Sequence, residues 1–490
     1  MPPFKKCFMP IPHNASYMPK AGPTPRARTA GGRLQKLIEK IDAGIRPSKS
    51  ELAAEKEFAS KVISSLSGAL PDAKIVFIGS AARDTGLRGE RDIDIFVAFP
   101  RTLSEGQIVD RTFAAARKAA RAEWVRHYAE HPYLQAQVAG FHLEVIPCFQ
   151  MSPNEPLKSA VDRSPLHMAY LQSRLSQGQR RDVRVLKKLL KAAGIYGAES
   201  RVCGFSGFVC ELLVLNYRTL PLLLQAASKW RVPIIVDING QYKQDDRAVA
   251  AAFPGAPLVV VDPTDKGRNA AAAISLENVA RFILLSRALL SAPSENFFFP
   301  KKAGVSKEEL AEAMKRRGTH FICFRCPRPA VVEDILYPQM RKTYGALHAQ
   351  FSRSGLSPVS GAYFEDGKSA LFLLELPLAQ ACPLKISAGP PAFDWQSVEK
   401  FMSSRKAGAI RGPYVRADGR VAVEHFAPVN AGALAKEFLK APASRGVASH
   451  FQGPMKKAKV AEGAGRICKS VSRGALSFIA DHVLKKEGWA

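Results

Sequence analysis

Long apolar runs are missing from this 490-residue chain. No uninterrupted stretch approaches the roughly 20 residues that span a bilayer, and the N-terminus, with its prolines and scattered basic residues, has no signal-peptide core. A cytoplasmic location with no membrane partner is therefore expected. Cysteine is sparse too: eight residues spread over the whole chain do not make a secreted disulfide framework. Cys323-Phe324-Arg325-Cys326 has Cys-x-x-Cys spacing, but no second pair or paired histidines complete a zinc site. It reads as a strand segment with incidental thiols. Acidic residues are in deficit, with 43 Asp and Glu against 71 Lys and Arg, a formal net charge of +28. Such an excess suits a polyanionic partner, because neutralising phosphates releases condensed counterions and gives sequence-independent affinity. A basic protein with an unrelated task would carry the same charge. No internal repeat is visible.

Among the few acids, Asp92 and Asp94 constrain the chemistry most. The run Arg91-Asp92-Ile93-Asp94-Ile95-Phe96-Val97 alternates, so a strand here puts Asp92, Asp94 and Phe96 on one face and Ile93, Ile95 and Val97 on the other. Both acids then meet one hard cation. Mg²⁺ takes one or two carboxylates plus substrate phosphates and waters, and shared carboxylates span the ions of a two-metal site, about 3.5–4 Å apart. Asp-x-Asp alone is common on solvated strand faces, so the context decides. Upstream, Ala73–Ile78 reads as a buried strand followed by Gly79-Ser80 and the polar segment through Thr85. Glycine allows close backbone approach, and exposed amides, the Ser80 hydroxyl and Arg83 suit a triphosphate held at the turn. A third carboxylate usually completes such a site from a neighbouring strand. Glu144 in Phe141–Cys148 fits, since Phe141, Leu143 and Val145 face a core while Glu144 points the other way. A plain surface glutamate is the alternative.

Gly79-Ser80-x-x-Arg83-x-Thr85-x-Leu87-Arg88-Gly89 followed by Asp92-Ile93-Asp94 resembles the signature of DNA polymerase β-type nucleotidyltransferases, and specifically of archaeal (class I) CCA-adding enzymes, the tRNA nucleotidyltransferases. Val161–His167, Gly194–Glu199, Gly204–Phe208 and Asp262–Asn269 are similar to further motifs of that family. The resemblance is clear from about Arg46 to Pro300 and weaker beyond, as at Gly412–Val415. It implies untemplated addition of C, C and A to the 3′ end of tRNA from CTP and ATP with Mg²⁺. Asp92, Asp94 and Glu144 would be catalytic metal ligands. Ser80 and Arg83 would touch the triphosphate, and His131, Ser164, His167, Lys187 and Tyr196 would complete the nucleotide pocket. Arg268 matches the base-reading arginine, whose guanidinium offers a fixed donor fork to a base edge. Two positions depart from the pattern: Glu144 stands where the family usually has Asp, and Ser164 where it has Thr.

The residues themselves leave alternatives open. Arg184, Lys187, Lys188 and Lys191 sit at helical spacing opposite Leu186, Leu189 and Leu190, so a basic stripe would meet phosphates or simply face solvent. Arg268 would equally form a loop salt bridge with Asp262 or Asp265. Rival functions are a poly(A) polymerase or oligoadenylate synthetase of the same superfamily, and an RNA-binding protein without catalysis.

An α+β multidomain chain is expected, at ~150 residues per domain. A basic, disordered or weakly helical arm (1–46) precedes a nucleotidyltransferase head with a helix-backed mixed sheet (47–159). A mainly helical neck (160–295), an α+β RNA-binding body (296–400) and a basic RNA-binding tail (401–490) follow, and a homodimer is allowed. The pattern Ser48-Lys49-Ser50-Glu51 opens a helix through about Leu66, and helices are expected from Glu105 to about Glu130 and from Phe208 to Leu224. Pro293–Pro300 reads as a linker.

Overall fold

A computed structural model describes residues 25–484 except 129, 130, 152–154, 301–303, 383, 406 and 407. The chain divides into two compact units, one ending at Lys301 and the other running from Lys302 to Lys486.

The first unit begins with helices α1 (Pro25–Ile45) and α2 (Lys49–Ala69), strand β1 (Lys74–Ile78), the short helix α3 (Gly79–Ala82) and strand β2 (Asp92–Phe99). Helix α4 (Glu105–Ala119) and strands β3 (Val125–Tyr128), β4 (Pro132–Val138) and β5 (Phe141–Phe149) follow. The five strands form one sheet in the order β1-β2-β5-β4-β3, antiparallel throughout except for the parallel pair of β2 and β5. α2 starts with the expected capping box: the Ser48 hydroxyl accepts from the Glu51 amide while the Glu51 carboxylate accepts from the Ser48 amide. Alternation sorts the sheet faces. Ile93, Ile95, Val97, Leu143 and Val145 bury with Leu66 of α2 and Phe113 of α4, which leaves the acids on the opposite face.

Next come α5 (Arg163–Gln172), α6 (Gln177–Ala192), α7 (Gly207–Tyr217), α8 (Leu220–Ala227), β6 (Ile234–Val236), α9 (Asp246–Ala252), β7 (Leu258–Asp262), β8 (Asp265–Asn269) and α10 (Leu276–Ser291). β6, β7 and β8 form a small sheet. The largest core of this unit collects Leu186 and Leu189 of α6, Leu212 and Leu213 of α7, and Phe282 of α10. Leu34, Ile38, Ile41 and Ile45 of α1 join it. The arm expected over 1–46 is therefore, from Pro25 onward, a docked helix, because its apolar residues recur at helical spacing and find a core; residues 1–24 lie outside the described residues. Three further expectations change. The helix from Glu105 ends at Ala119, and the segment beyond it pairs with β4 as an edge strand. The apolar run 208–224 breaks at Arg218 (φ +70°) and Thr219, whose hydroxyl caps α8, so α7 and α8 meet at 94°. Phe298, in the supposed linker, is fully buried in the same core.

The second unit contains α11 (Lys307–Arg316), β9 (His320–Pro327), α12 (Glu333–Arg353), β10 (Ser360–Glu365), β11 (Ser369–Leu376), β12 (Gln380–Ala381), β13 (Leu384–Pro391), α13 (Trp395–Arg405), β14 (Arg411–Val415), β15 (Arg420–Phe426), β16 (Val429–Asn430), α14 (Ala431–Lys440), α15 (Ser449–Lys456), β17 (Lys459–Glu462), α16 (Ala464–Ser470) and α17 (Arg473–Val483). A four-stranded sheet, β10-β11-β9-β17, has a core on each face. Cys323 and Cys326 fall on opposite faces of β9, in different cores, and burial pushes both thiols up to about 12, so they are inert packing residues. The stretch read as a basic tail is folded into this unit: β17 pairs with β9, and Ile467, Leu476 and Ile479 fill the core. Lys456, Lys457, Lys459, Lys469 and Arg473 remain on its surface, while Lys485 and Lys486 lie outside the described residues.

Candidate active site

The parallel pairing of β2 with β5 sets Asp94 beside Glu144 and Asp92 beside His142. Residues two apart on a strand share a face, so the three acids stand on the same face of the sheet. The strand-to-helix turn closes over them. Gly79 has φ +88°, and a Cβ on it would lie 2.1 Å from Oδ2 of Asp94, so only glycine lets the turn rest against the acid. Ser80 follows, half-buried, with its carbonyl accepting from the Thr85 amide at 3.0 Å. A small cavity beside the turn is lined by Glu55, Ser80, Asp84, Gly86, Glu90 and Asp92.

Electrostatics records the crowding of acids. Burial, and then the charge of Asp92, push Asp94 up to about 6 against the opposing influence of Arg83. Burial, followed by Asp94 and Asp92, pushes Glu144 up to about 7. Asp92 stays exposed and moves up through partial desolvation and the charge of Glu90. Carboxylates that raise one another are held together at the cost of mutual repulsion, which a divalent cation would relieve. The donor set is hard oxygen, suited to Mg²⁺-like ions. Yet among the described residues no three His, Cys, Asp or Glu side chains stand ready to enclose a metal. Like charges repel, and the Gln135 amide nitrogen holds Glu144 Oε1 at 3.1 Å. Two aspartates plus substrate phosphates therefore fit the ion better than a closed protein cage.

The other residues expected at the site fall into three groups. Arg83, Lys187 and Tyr196 belong to the first. Arg83 Nε donates to Glu211 Oε1 at 3.0 Å, Thr85 Oγ1 donates to the same oxygen at 2.7 Å, and Lys187 Nζ donates to the Thr85 carbonyl at 3.0 Å. Lys187 is 2% exposed, and burial lowers its pKa although Glu211 opposes the shift. Gly207, at the start of α7, marks where this group meets Tyr196. A Cβ there would be 3.2 Å from the Tyr196 hydroxyl and 3.5 Å from Lys187 Nζ. The basic stripe on α6 is thus a correction: Arg184 and Lys187 point inward, and Arg184 Nε donates to Asp42 Oδ1 of α1 at 2.7 Å. The ammonium of Lys191 pairs with Glu90, and that of Lys188 lies 4.5 Å from the centre of the Phe299 ring.

The second group surrounds Asp262. His167 Nε2 and Arg268 Nη1 each lie 2.8 Å from its Oδ2, while the Thr264 amide and hydroxyl donate to Oδ1. Although burial pushes this carboxyl up, the hydrogen bonds from His167 and Thr264 and the charge of His167 hold it well below the usual range. His167 also stacks on Phe208 at 3.9 Å. Ser164 is half-buried on the first turn of α5, one position from Arg163, whose Nε lies 3.2 Å from Asp265. Arg268 forms the loop salt bridge foreseen as the alternative, and about a third of its side chain remains exposed for another partner. The third group is His131 alone. Fully buried before β4, it lies 3.2 Å from Glu105 of α4, four residues along the strand from Gln135, and is not brought to the acids.

Glu211, Thr85 and Asp42 organise the first group and the helix that carries it. Thr85 stands in the signature motif and Glu211 is the single charge in the apolar run 208–217, but neither pairing is legible in the sequence. A charge in such a run is retained only where it is paired.

Three family models match the chain: "Nucleotidyltransferase domain" over 59–167, "tRNA nucleotidyltransferase, second domain" over 181–299, and "CCA-adding enzyme, C-terminal domain" over 317–449. A CCA-adding enzyme of Methanoregula boonei is 36% identical over 401 residues, covering 80% of this chain and 84% of the relative. The chain belongs to the CCA-adding enzyme family. Members from Archaeoglobus fulgidus and Methanocaldococcus jannaschii are each 32% identical, covering 76% and 77% of this chain and 83% and 85% of their own lengths. The family matches therefore extend into both compact units and reach residue 449, within the segment expected to be a tail.

Proposed function

We infer that this protein adds C, C and A in turn to the 3′ end of tRNA, taking CTP and ATP and releasing pyrophosphate. The three neighbouring carboxylates on β2 and β5, under a turn that only a residue without Cβ permits, carry the nucleotidyl transfer, and the 36% identity with a CCA-adding enzyme over 80% of the chain carries the choice of CCA. In each cycle the tRNA 3′-oxygen bonds to the α-phosphorus of the nucleotide. The bond from that phosphorus to the oxygen bridging to the β-phosphate breaks, and pyrophosphate departs with the electron pair. The proton of the 3′-hydroxyl passes to a neighbouring carboxylate or to water. Phosphoryl transfer asks the protein mainly for alignment and for offsetting charge. Asp92 and Asp94, with Glu144 alongside, would hold Mg²⁺, which when bound activates the attacking hydroxyl and stabilises the departing oxygen. The Ser80 turn, Arg83, Lys187 and Tyr196 would hold the triphosphate. Arg268, steadied by Asp262 and His167, would meet the base edge, with Ser164 nearby on α5. The +28 charge supports tRNA as the polyanionic partner. A cytoplasmic site of action and a homodimer belong to the same reading; among the described residues no single helix is long and apolar enough to cross a membrane.

The test is incubation with tRNA lacking its CCA end, one labelled nucleotide at a time and then both. Two C residues from CTP alone, followed by one A when ATP is present, are expected. Homopolymeric A tails on any RNA would replace this reading with a poly(A) polymerase.

A further inference from the structure

The buried carboxylate of Glu211 has no part in the sequence motifs, yet it joins three elements of the site. It projects from α7, is fully buried, and accepts through Oε1 both the Arg83 guanidinium of the glycine turn and the Thr85 hydroxyl. That hydroxyl also lies 3.4 Å from Lys187 Nζ, so it can donate to the acid and accept from the ammonium. Among the described residues Glu211 Oε2 has no hydrogen-bond partner, which is costly for a buried anion and leaves one acceptor in reserve. Arg83 spends its Nε on Glu211. Its Nη1 faces the Met168 sulfur at 3.4 Å, a weak acceptor that a phosphate oxygen would outcompete.

We propose that Glu211 is the positioning residue of the triphosphate cradle, aiming Arg83 directly and Lys187 through the Thr85 hydroxyl. This rests on the reading that Arg83 and Lys187 bind the nucleotide phosphates. A bidentate or paired cation is useful to a phosphate only when its donors are fixed before binding, because ordering two long side chains at each turnover would subtract from affinity. An anion on α7 provides that order. It also keeps two neighbouring cations from separating by mutual repulsion while the phosphates are absent. Since the triphosphate is common to CTP and ATP, Glu211 acts equally on both nucleotides and not on the base.

The experiment compares the full-length parent with Glu211→Gln, Thr85→Val and Thr85→Ser. For each protein three quantities are read: KM and kcat for CTP and ATP, KM for tRNA, and calorimetric binding of inorganic tripolyphosphate. Glu211→Gln is expected to raise both nucleotide KM values by about tenfold or more, to weaken tripolyphosphate binding in parallel, and to leave the KM for tRNA unchanged. Thr85→Val should show a smaller effect of the same pattern, and Thr85→Ser, which keeps the hydroxyl, should restore parental values. Should Glu211→Gln fail to fold, the Thr85 pair carries the test. The proposal is overturned if folded Glu211→Gln or Thr85→Val binds tripolyphosphate like the parent, or if KM for tRNA rises as much as KM for nucleotide. A parent that adds no C or A to tRNA would instead remove the underlying reading, and the tripolyphosphate measurement would still judge the cradle.

Discussion

Asp94 is the residue on which most of the site converges: it pairs with Glu144 in register, lies under Gly79 and feels Arg83. Asp94→Ala is expected to lower nucleotide incorporation by on the order of 10²–10³-fold while tRNA binding, measured separately by filter retention, is kept. Equal loss of binding would make Asp94 structural. Glu144 permits a prediction about pH. Its carboxyl moves from 4.5 up to about 7 and that of Asp94 from 3.8 up to about 6, so between those limits the folded protein holds protons that the unfolded chain has released. Stability from this cluster is therefore present at low pH and lost as pH rises toward 7. Glu144→Gln, neutral throughout, should melt with the metal-free parent at pH 4 and above it at pH 8. Added Mn²⁺ should raise the parent's melting temperature at pH 8 more than the variant's. An identical offset at both pH values would mean that neither burial nor the aspartates raise the Glu144 carboxyl.

At the scale of elements, α1 decides how the site is braced. Leu34, Ile38 and Ile41 bury against α6, and Asp42 receives the buried Arg184, which also reaches Asp84 in the turn below Ser80. Removing the Ile38 side chain with Ile38→Ala should cost about 2–5 kcal/mol in urea unfolding. A change within about 0.5 kcal/mol, the range of surface substitutions, would show that the helix is not docked in solution. Local signals made several elements readable: the Ser48 box opened α2, and strict alternation gave β2 and β5. Elements whose identity depends on a distant partner are not legible in the local sequence. Residues 125–128 fit a helix until β4 offers an edge to pair with, and the turn at 218–219 is fixed by Arg218 adopting a left-handed conformation that no propensity favours.

For the whole molecule, the excess of cations sets how tRNA is held. Some of those cations are spent internally, as Arg184 and Arg83 show, so the charge available to RNA is smaller than the sum over the sequence. Affinity for tRNA should still fall linearly with the logarithm of salt concentration, by an order of magnitude or more between about 50 and 200 mM salt. Binding that is indifferent to salt would exclude phosphate contacts as its main source.

Sequence alone determined the aspartate pair, the glycine turn and the alternation that puts Glu144 on their face, because each depends on neighbours within a few residues. It also determined the family, through motifs in fixed order. Only the tertiary structure decided which basic residues face the site and which are braced from behind. Arg184 meets Asp42 across 142 residues and Lys187 meets Thr85 across 102, and no local period encodes such pairings. The same distance hid Glu211: a charge within an apolar helix announces that a partner exists, but the folded chain alone supplies Arg83.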